Sequence, residues 1–343
     1  SKIVVLSALS GTTNSLVQIG NFIAAGKREE AEKLINMLEL HYQDFITNLV
    51  KKDLYVEKAK ATIAEHFDFL HIILRISYSE ALMKDILAQG ELMSTRLFCV
   101  YLEECGIAHV LLPALEFMSI NEKEEPELPL IREKLLSLLE KNNRISLFIT
   151  QGYICKNHKG ETDNLKRGGS DYTASLIAAA VKASVCEIWT DIDGMHNNDQ
   201  RIVKTTFPVE QLSFDEAAEL AYFGAKILHP TCIWPAQLFN IPVKLLNTMQ
   251  PHAKGTTINE TAKTIGVKAV AAKDGITAIN IKSSRMLLAY GFLRKLFEIF
   301  ELYRTAIDMI ATSEVAVSLT IDNTEHLEQI VKELEQLGKV EVD

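Results

Sequence analysis

Residues 167–171, Arg-Gly-Gly-Ser-Asp, combine the groups that proteins use to bind anions. Paired glycines let backbone N–H groups approach an anion without a Cβ in the way, and an arginine binds a carboxylate through two parallel hydrogen bonds. The segment opens a predicted helix at 172–183, whose N-terminus carries a partial positive charge. The alternative is that Ser170 or Asp171 only caps this helix and that Arg167 is solvated. The segment alone leaves both interpretations open.

A second cluster, residues 190–194 (Thr-Asp-Ile-Asp-Gly), directly follows a predicted strand, and Asp199 and Arg201 come shortly after it. Carboxylates at the end of a strand bind Mg²⁺ or ribose hydroxyls, and an arginine in the same loop pairs with phosphate. The alternative is a plain turn, because turns favour Asp and Gly. On this segment alone, the turn is the simpler interpretation.

Three further segments carry groups suited to a phosphorylated or charged ligand. Lys226, in the segment 223–230 (Phe-Gly-Ala-Lys-Ile-Leu-His-Pro), is placed to reach a transferring phosphoryl group. Residues 7–14 supply hydroxyls and a glycine after the first predicted strand, and Glu91 offers a carboxylate to an ammonium group. Each has a structural alternative: a surface lysine at a helix C-terminus, a plain loop with a helix cap, and a solvated helix face.

Predicted strands and helices alternate along the first 258 residues, and the strands are short apolar runs of the kind that is buried on both faces. The strands are predicted at 3–6, 108–112, 146–150, 185–190 and 242–246. Strands that alternate with helices form parallel βαβ units, so we predict a doubly wound α/β sheet. Ligands bind such sheets at the carboxyl ends of the strands, which is where the polar clusters fall.

A polar stretch at 258–268 separates this region from a second predicted domain. Beyond it the pattern predicts a strand (277–281), a helix (292–303), two strands (306–311 and 315–321), a helix (325–337) and a strand (340–342). The order βαββαβ is that of a ferredoxin-like module, for which about 75 residues are enough. We therefore predict domains at 1–258 and 267–343.

The composition restricts the classes of partner. A formal net charge of -9 over 343 residues argues against a nucleic-acid-binding surface, which needs dense Lys and Arg. No apolar run is long enough to span a membrane, and the N-terminus lacks a signal-peptide pattern. The five cysteines are odd in number and form no Cys-x-x-Cys pair, which favours a reduced, cytoplasmic compartment.

Taken together and in this order, six segments resemble the aspartokinases of the amino acid kinase family. They are VLSALSGTTN (5–14), QGELMST (89–95), ITQGYI (149–154), KRGGSDYTA (166–174), EIWTDIDGM (187–195) and FGAKILHP (223–230). Residues 286–300 and 307–322 resemble the family's ACT regulatory domain. The resemblance implies an α/β fold, an αβα sandwich with a mostly parallel sheet, followed by a C-terminal ferredoxin-like βαββαβ (ACT) domain.

The resemblance also implies a role for each polar cluster. Arg167 would bind the α-carboxylate of aspartate and Glu91 its ammonium, with Ser7, Ala8, Thr13 and Ser170 beside the substrate. ATP would contact Thr190, Asp191, His196, Asp199, Arg201 and Lys226. Asp171 and Lys226 would be catalytic, Asp171 by orienting the Mg²⁺ that accompanies ATP; no separate protein metal site is implied.

The same resemblance implies regulation by an amino acid. The effector-binding positions would be Met286, Gly291, Leu293, Asp308, Thr312 and Ser313. Lysine or threonine would be the feedback effector, and ACT edges would pair to form a homodimer or tetramer. The alternative is that Asp308 and Thr312 belong to ordinary sheet edges.

The implied reaction is transfer of the γ-phosphoryl group of ATP to the β-carboxylate of L-aspartate, giving 4-phospho-L-aspartate, the first step of lysine, threonine and methionine biosynthesis. A carboxylate is ionised at neutral pH, so this nucleophile needs no general base. The sequence contains no Walker motif, which fits a kinase that binds ATP in a different way from the P-loop proteins. The alternatives are a kinase of glutamate or acetylglutamate, and a non-catalytic amino-acid sensor.

Three departures from the family pattern stand out. The family opens with a strand carrying Lys-Phe-Gly-Gly-Thr, and nothing like it precedes Ile3, so we expect a segment upstream of Ser1 to supply that lysine. His196 and Gln200 stand where the family often has Tyr and Pro. The family carries two ACT units, so the segment 267–272 is expected to be a strand of a second, truncated unit.

Overall fold

The computed structural model describes residues 1–165, 168–223, 228–260, 266–283, 286 and 290–343. These residues form two compact units, Ser1–Ala271 and Ala272–Asp343. The polar stretch predicted to separate the domains, at 258–268, therefore lies within the first unit.

The first unit contains a parallel sheet of β1 (Lys2–Leu6), β2 (Val110–Leu112) and β3 (Leu147–Gln151), in the order β1-β3-β2. β3 is central, and its Phe148 and Ile149 are buried, as expected for a strand of a parallel sheet that is covered on both faces. The carboxyl ends of all three strands consequently meet at one edge.

Four helices connect β1 to β2: α1 (Thr12–Ala24), α2 (Arg28–Leu49), α3 (Asp53–Ile73) and α4 (Glu80–Glu104). Their apolar faces share one core, to which Tyr42 contributes one of the largest fully buried side chains. α4 also packs against all three strands of the sheet. This helix therefore lies next to the loop that follows β1.

The chain then forms two helices, a hairpin and a third helix: α5 (Ala114–Phe117), α6 (Leu128–Lys141), β4 (Ile154–Lys156), β5 (Thr162–Asn164) and α7 (Gly169–Val181). β4 and β5 pair antiparallel. α7 is rich in alanine and other small residues, which lets it pack closely between neighbouring elements.

A second sheet completes the first unit. It consists of β6 (Cys186–Thr190), β7 (Gln211–Leu212), β8 (Val243–Asn247) and β9 (Thr256–Ile258), in the order β6-β8-β9-β7, and it packs with α8 (Phe214–Phe223) and α9 (Pro230–Leu238). β6 and β8 are parallel, and β8 and β9 are antiparallel. Because α7 contacts both β1 and β6, one helix joins the two sheets.

The second unit is a four-stranded antiparallel sheet with two helices. Its elements are β10 (Thr277–Lys282), α10 (Phe292–Leu302), β11 (Met309–Thr312), β12 (Ala316–Ile321), α11 (Leu327–Leu334) and β13 (Lys339–Val342), with strand order β11-β12-β10-β13. Alternate strand residues such as Ile279 and Ile281 pack against Leu296 and Phe300 of α10. This order and chain path are those of the ferredoxin-like module.

The predicted fold class, α/β with a parallel sheet followed by a ferredoxin-like domain, is confirmed. The described strands of the first unit form a three-stranded sheet, a four-stranded sheet and the separate β4–β5 hairpin rather than one sheet. The strand predicted at 267–272 is wrong, because this segment forms no strand and its Val267 and Val270 are exposed. Among the helices that the structure describes, none has the length and apolar character needed to cross a bilayer.

Candidate active site

The loop that follows β1 is fixed to α4 by hydrogen bonds. Ser94 Oγ donates to the carbonyl oxygen of Ser7 at 2.8 Å, and the Ala8 N–H donates to Glu91 Oε1 at 3.4 Å. The Thr95 hydroxyl accepts from Gln151 at the end of β3 at 2.9 Å. α4 thus places the carboxylate of Glu91 at the carboxyl end of the first sheet, where the sequence predicts a ligand.

Glu91 is a buried carboxylate with one oxygen to spare. Glu91 is 4% exposed, and its Oε2 has no hydrogen-bond partner among the residues that the structure describes. Burial raises the pKa of Glu91 to about 7. An ion at this position is costly unless a partner of opposite charge arrives, so the geometry suits an ammonium group from a ligand.

Two tyrosines flank this carboxylate. The charge of Glu91 contributes, after burial, to raising the pKa of Tyr42 and of Tyr153 to about 12. The hydroxyl of Tyr42 lies 3.2 Å from that of Thr12, the first residue of α1. Both tyrosines stay neutral at physiological pH, so neither competes with Glu91 for a cation. Tyr42 has no motif around it, and sequence reasoning missed it.

The start of α7 is packed against the end of β3. A Cβ at Gly152 would lie 2.3 Å from Ser170 Oγ, so only glycine permits this approach. Tyr153 adopts a left-handed backbone with φ 64°, which is strained for an aromatic residue. Its N–H donates to Thr173 Oγ1 of α7 at 2.9 Å, which offsets part of that strain. The N-terminus of α7 therefore lies beside the pocket of Glu91.

The other side of α7 contacts the second sheet and α9. Gly168 caps the helix with φ 79°, and a Cβ there would lie 1.9 Å from Cys232 Sγ. Burial raises the pKa of Asp171 to about 6. The charge of Asp171 in turn contributes, after burial, to raising the pKa of Cys186 on β6 and of Cys232 to about 12. Asp171 thus faces the side of the unit that carries the second cluster.

The loop after β6 begins with a turn held by Thr190. Its Oγ1 accepts from the Ile192 N–H at 3.0 Å, and its carbonyl oxygen accepts from the Thr248 N–H at 2.8 Å. The Asn247 amide donates to the Asp191 carbonyl at 3.4 Å. The turn predicted as the structural alternative is therefore real, and it leaves the side chain of Asp191 exposed at the end of β6.

Charged groups further along this loop are already paired with one another. His196 Nε2 lies 2.7 Å from Asp193 Oδ1, and its Nδ1 lies 2.7 Å from Thr206 Oγ1. Arg201 binds the carboxylate of Asp199 through two nitrogens, at 3.0 and 2.6 Å. Both ring nitrogens of His196 are engaged, so this residue supports the loop from within. Two of the three guanidinium nitrogens of Arg201 are therefore engaged with Asp199, while its side chain is largely exposed.

The predicted start of α8 is a capping box. Ser213 Oγ accepts from the Glu216 N–H at 3.1 Å, and Glu216 Oε2 accepts from the Ser213 N–H at 2.7 Å. α8 then leads to residues 224–227. Two predicted site residues, Arg167 and Lys226, lie outside the described residues. Thr13 is half-buried on the first turn of α1, directly after the loop that follows β1.

The predicted effector positions all belong to the second unit. Gly291 caps α10 with φ 82°, Leu293 is exposed on its first turn, and Met286 packs on the core of this unit. Asp308 precedes β11, and its side chain is buried. Thr312 is the last residue of that strand. At a rise of about 3.3 Å per residue, it lies about 13 Å along the chain from Asp308. The neighbouring Ser313 Oγ accepts from the Ala316 N–H at 3.1 Å.

The chain matches a known family over most of its length. Residues 1–247 match the amino acid kinase family. The chain is 34% identical to lysine-sensitive aspartokinase 3 of Escherichia coli, over 100% of this chain and 78% of that protein. It is 36% identical to chloroplastic aspartokinase 3 of Arabidopsis thaliana, over 98% of this chain and 64% of that protein.

Solved structures give the same result. E. coli aspartokinase III in complex with aspartate and ADP (R-state) superposes with a TM-score of 0.81 at 33% identity, over 100% of this chain and 78% of that chain. The same enzyme in complex with lysine and aspartate (T-state) gives 0.79 at 34% identity, over 99% and 78%. The match therefore extends beyond the catalytic motifs into the second unit.

Proposed function

The chain belongs to the amino acid kinase family and, within it, to the aspartokinases; on this premise we propose that it is an aspartate kinase. It transfers the γ-phosphoryl group of ATP to the β-carboxylate of L-aspartate and forms 4-phospho-L-aspartate. The related E. coli enzyme binds aspartate and ADP. That the relatives are aspartokinases argues against the glutamate and acetylglutamate alternatives.

The observation that supports aspartate most strongly is the environment of Glu91. A ligand that brings an ammonium group to Oε2 removes the cost of keeping this carboxylate buried. The same ligand reaches the N-terminus of α7, where Ser170 and the backbone suit a carboxylate. An α-amino acid with an acidic side chain carries both charges. Arg167 completes this half of the site as the clamp for the α-carboxylate.

The chemistry asks the protein to align two anions and to stabilise the charge that develops between them. The β-carboxylate attacks the γ-phosphorus as an ionised group, so no side chain has to remove a proton. The partial positive charge at the start of α7 stabilises the transferring group from the substrate side. Lys226 is the proposed cation on the nucleotide side.

The carboxylates of this site suit a Mg²⁺ ion that is bound partly by ATP phosphates better than one bound by protein ligands alone. Among the described residues, no group of three or more His, Cys, Asp and Glu side chains could hold a metal ion. Mg²⁺ commonly binds through one or two carboxylates together with substrate phosphates. Asp171 is the fitting ligand, because its pKa of about 6, raised by burial, would be lowered by a neighbouring cation. When bound, Mg²⁺ neutralises charge on the phosphates of ATP.

The nucleotide is bound by the loop after β6. Thr190 ends that strand and Asp191 follows it, and Arg201, now paired with Asp199, would contact a phosphate. His196 contributes by holding the loop together rather than by donating to the nucleotide. Asp199, the partner of Arg201 within the loop, therefore competes with the nucleotide phosphates for this guanidinium.

Regulation by an amino acid is proposed for the second unit. A related enzyme is lysine-sensitive and has been crystallised with lysine. The ferredoxin-like unit carries Asp308, Gly291 and Thr312 at positions suited to an amino-acid effector. Lysine is the first candidate and threonine the second, with effector sites completed by pairing of two or four chains.

The cysteines bear on the compartment. All five are free thiols, and four of them are buried, which favours the reducing cytoplasm.

Ligand binding, which depends on Glu91, α7 and the β6 loop, is the first test of the proposal.

Calorimetric titration tests the proposal directly. The chain is expected to bind L-aspartate and MgADP, each with 1:1 stoichiometry, and L-glutamate at least about tenfold more weakly. The protein is expected to turn over aspartate and ATP in a hydroxamate assay. Tighter binding of glutamate or acetylglutamate would contradict the choice of substrate, and binding without turnover would support the sensor.

A further inference from the structure

The segment 266–271, here called the linker, joins the first unit to the second and is anchored on the nucleotide side of the candidate active site. It forms neither a helix nor a strand. Three contacts hold it: an ion pair of Lys268, a backbone hydrogen bond of Val270, and packing of Ala269 against the core below the second sheet. All three partners belong to the first unit.

The ion pair of Lys268 reaches the start of α8. Its Nζ lies 2.6 Å from Glu216 Oε2, the oxygen that also accepts from the Ser213 N–H in the capping box. The side chain of Lys268 is only 10% exposed. Burial alone would raise the pKa of Glu216, but hydrogen bonds from Lys268 and Ser213 outweigh it and lower the pKa. Lys268 therefore helps to fix the helix that leads to residues 224–227.

The second anchor reaches the loop after β6. The Val270 N–H donates to the carbonyl oxygen of Asn197 at 2.9 Å. Asn197 is also bound to Phe207 twice, through its own N–H and through its side-chain oxygen, both at 3.0 Å. Asn197 follows His196 directly, so the linker holds the same loop that His196 braces from within.

The linker is held mainly by these polar contacts and buries little apolar surface. Val267 is 86% exposed. Together with Lys268 it borders a cavity of about 750 Å³, whose opposite walls include Phe207 and Lys254. A segment with few buried apolar contacts detaches at low cost, so the position of the linker depends on its polar contacts, the ion pair of Lys268 and the hydrogen bond of Val270.

From these contacts we propose that Lys268 is a positioning residue for nucleotide binding. It fixes α8 and, through the linker, the loop after β6, and it contacts neither substrate. This inference rests on the proposed function, because it assigns the nucleotide to that side of the site. The second unit begins at Ala272, directly after the linker, so the backbone of the linker connects that unit to the loop that Val270 contacts.

The first experiment compares Lys268→Met with Lys254→Met in the whole chain. Lys254 borders the same cavity and pairs with Glu210 at 2.9 Å, but both side chains of this pair are exposed. Calorimetry is expected to show MgADP binding weakened about fivefold in Lys268→Met, with L-aspartate affinity unchanged within twofold. Lys254→Met is expected to bind both ligands like the wild type. Lys268→Arg keeps the charge and is expected to restore MgADP binding.

Hydrogen exchange supplies a readout that does not depend on a ligand. In Lys268→Met, backbone amides at 195–199 and 214–217 are expected to exchange several-fold faster, while those of α4 and β3 stay unchanged. Glu216→Gln keeps the capping box but removes the charge, so it is expected to give the same pattern if Lys268→Met does not fold.

The outcomes separate the two proposals. A wild-type chain that binds neither aspartate nor MgADP would contradict the proposed function. Normal wild-type binding together with unchanged exchange and MgADP affinity in Lys268→Met would overturn only the role of Lys268. A loss of aspartate affinity equal to that of MgADP would also overturn it, because it would indicate general destabilisation.

Discussion

The two halves of the candidate site hold their charged groups in different ways. On the aspartate side, Glu91 is buried and its Oε2 receives no hydrogen bond from the described residues. On the nucleotide side, Asp193 is paired with His196 and Asp199 with Arg201. The first half is built before its ligand arrives and is costly without it. In the second half these side chains already bind one another, so nucleotide binding exchanges one of those partners for a phosphate.

This difference predicts opposite responses to ligand. Binding of aspartate should relieve a cost that the folded protein already carries, so it should be strong and should need little movement. Binding of nucleotide should require the loop after β6 to rearrange, so it should be weaker for the same number of contacts. Five predictions, taken from the largest expected effect to the smallest, test this contrast.

Glu91→Gln should separate binding from stability. Without a negative charge for the ammonium, aspartate affinity should fall at least about 100-fold, because a buried charge pair is broken. The folded pKa of Glu91, about 7, lies above its ordinary value of 4.5, so the free protein loses stability as the pH rises from about 4.5 to about 7, and the cost is constant above that. Glu91→Gln should therefore stabilise the chain by about 3 kcal/mol at pH 8, measured by urea unfolding.

The gain in stability should shrink as the pH falls below about 7 and should nearly vanish below the ordinary pKa of 4.5, where Glu91 is protonated in the unfolded chain as well. Glu103→Gln is the matched control, since Glu103 lies on the same helix but is exposed and pairs with Lys58. It should leave both affinity and stability close to wild type. A Glu91→Gln chain that still binds aspartate would break the contrast at its strongest point.

Arg167→Ala tests the predicted carboxylate clamp. Loss of a charge-assisted, two-hydrogen-bond contact should weaken aspartate binding by about 2–3 kcal/mol and leave MgADP binding near wild type. Calorimetry with each ligand measures both. If MgADP binding collapsed while aspartate binding stayed the same, Arg167 would belong to the nucleotide half.

The pH dependence of aspartate binding should report the ionisation of Glu91. Only the ionised carboxylate pairs with an ammonium group, so affinity should be constant above about pH 7 and should fall by up to tenfold per pH unit below it. Tyr42 and Tyr153 remain protonated throughout, because burial raises their pKa to about 12.

Titrations between pH 5.5 and 8.5 in several buffers should show proton release on aspartate binding near pH 6. The Glu91→Gln chain should show no such dependence in its residual binding. Asp171, whose pKa is about 6, should affect MgADP over a similar range, so both ligands have to be measured. A flat aspartate profile in the wild type would contradict the role of Glu91.

Cys232→Leu should affect both halves at once, because α7 serves both. A larger side chain at Cys232 would press on Gly168, which already touches its Sγ, and would shift the start of the helix. Both affinities should fall about three- to tenfold, whereas Cys232→Ala, which only removes atoms, should change each by less than about twofold. Loss of one affinity alone would show that α7 belongs to a single half.

Asp199→Asn should give the smallest effect and the opposite sign. Removing the carboxylate that holds Arg201 frees the guanidinium, so MgADP affinity should rise by about two- to threefold, with aspartate affinity unchanged. The gain is small because the guanidinium of Arg201 is largely exposed and ion pairs with an exposed partner contribute little. Weaker MgADP binding in this variant would show that Asp199 contacts the nucleotide directly.

The sequence predicted the strands of the first unit well because they are buried apolar runs. The strand predicted at 146–150 is Leu147–Gln151 in the structure, and the one predicted at 242–246 is Val243–Asn247. The short strands β7 and β9 escaped prediction because two or three residues give no period. The segment 267–272 was predicted to be a strand from its family resemblance, and it lacks a partner strand among the described residues.

The site was predictable in its motifs but not in its electrostatics. Glu91 sits in a helical segment that equally fits a solvated face, and only packing of the loop after β1 against α4 shows that it is buried. Tyr42 lies 30 residues from Thr12, its hydrogen-bond partner, so no local pattern connects them. The pairing of Arg201 with Asp199 was not predicted either, because spacing does not reveal which partner a charge selects.

A crystal structure of the chain with L-aspartate and MgADP tests the central claim most directly. The aspartate ammonium should lie within hydrogen-bond distance of Glu91 Oε2, with β1, β3 and α4 unmoved, and the ADP phosphates should lie near the other side of the α7 N-terminus with Arg201 withdrawn from Asp199. Aspartate bound away from Glu91, or two ligands on faces that do not share α7, would contradict the account.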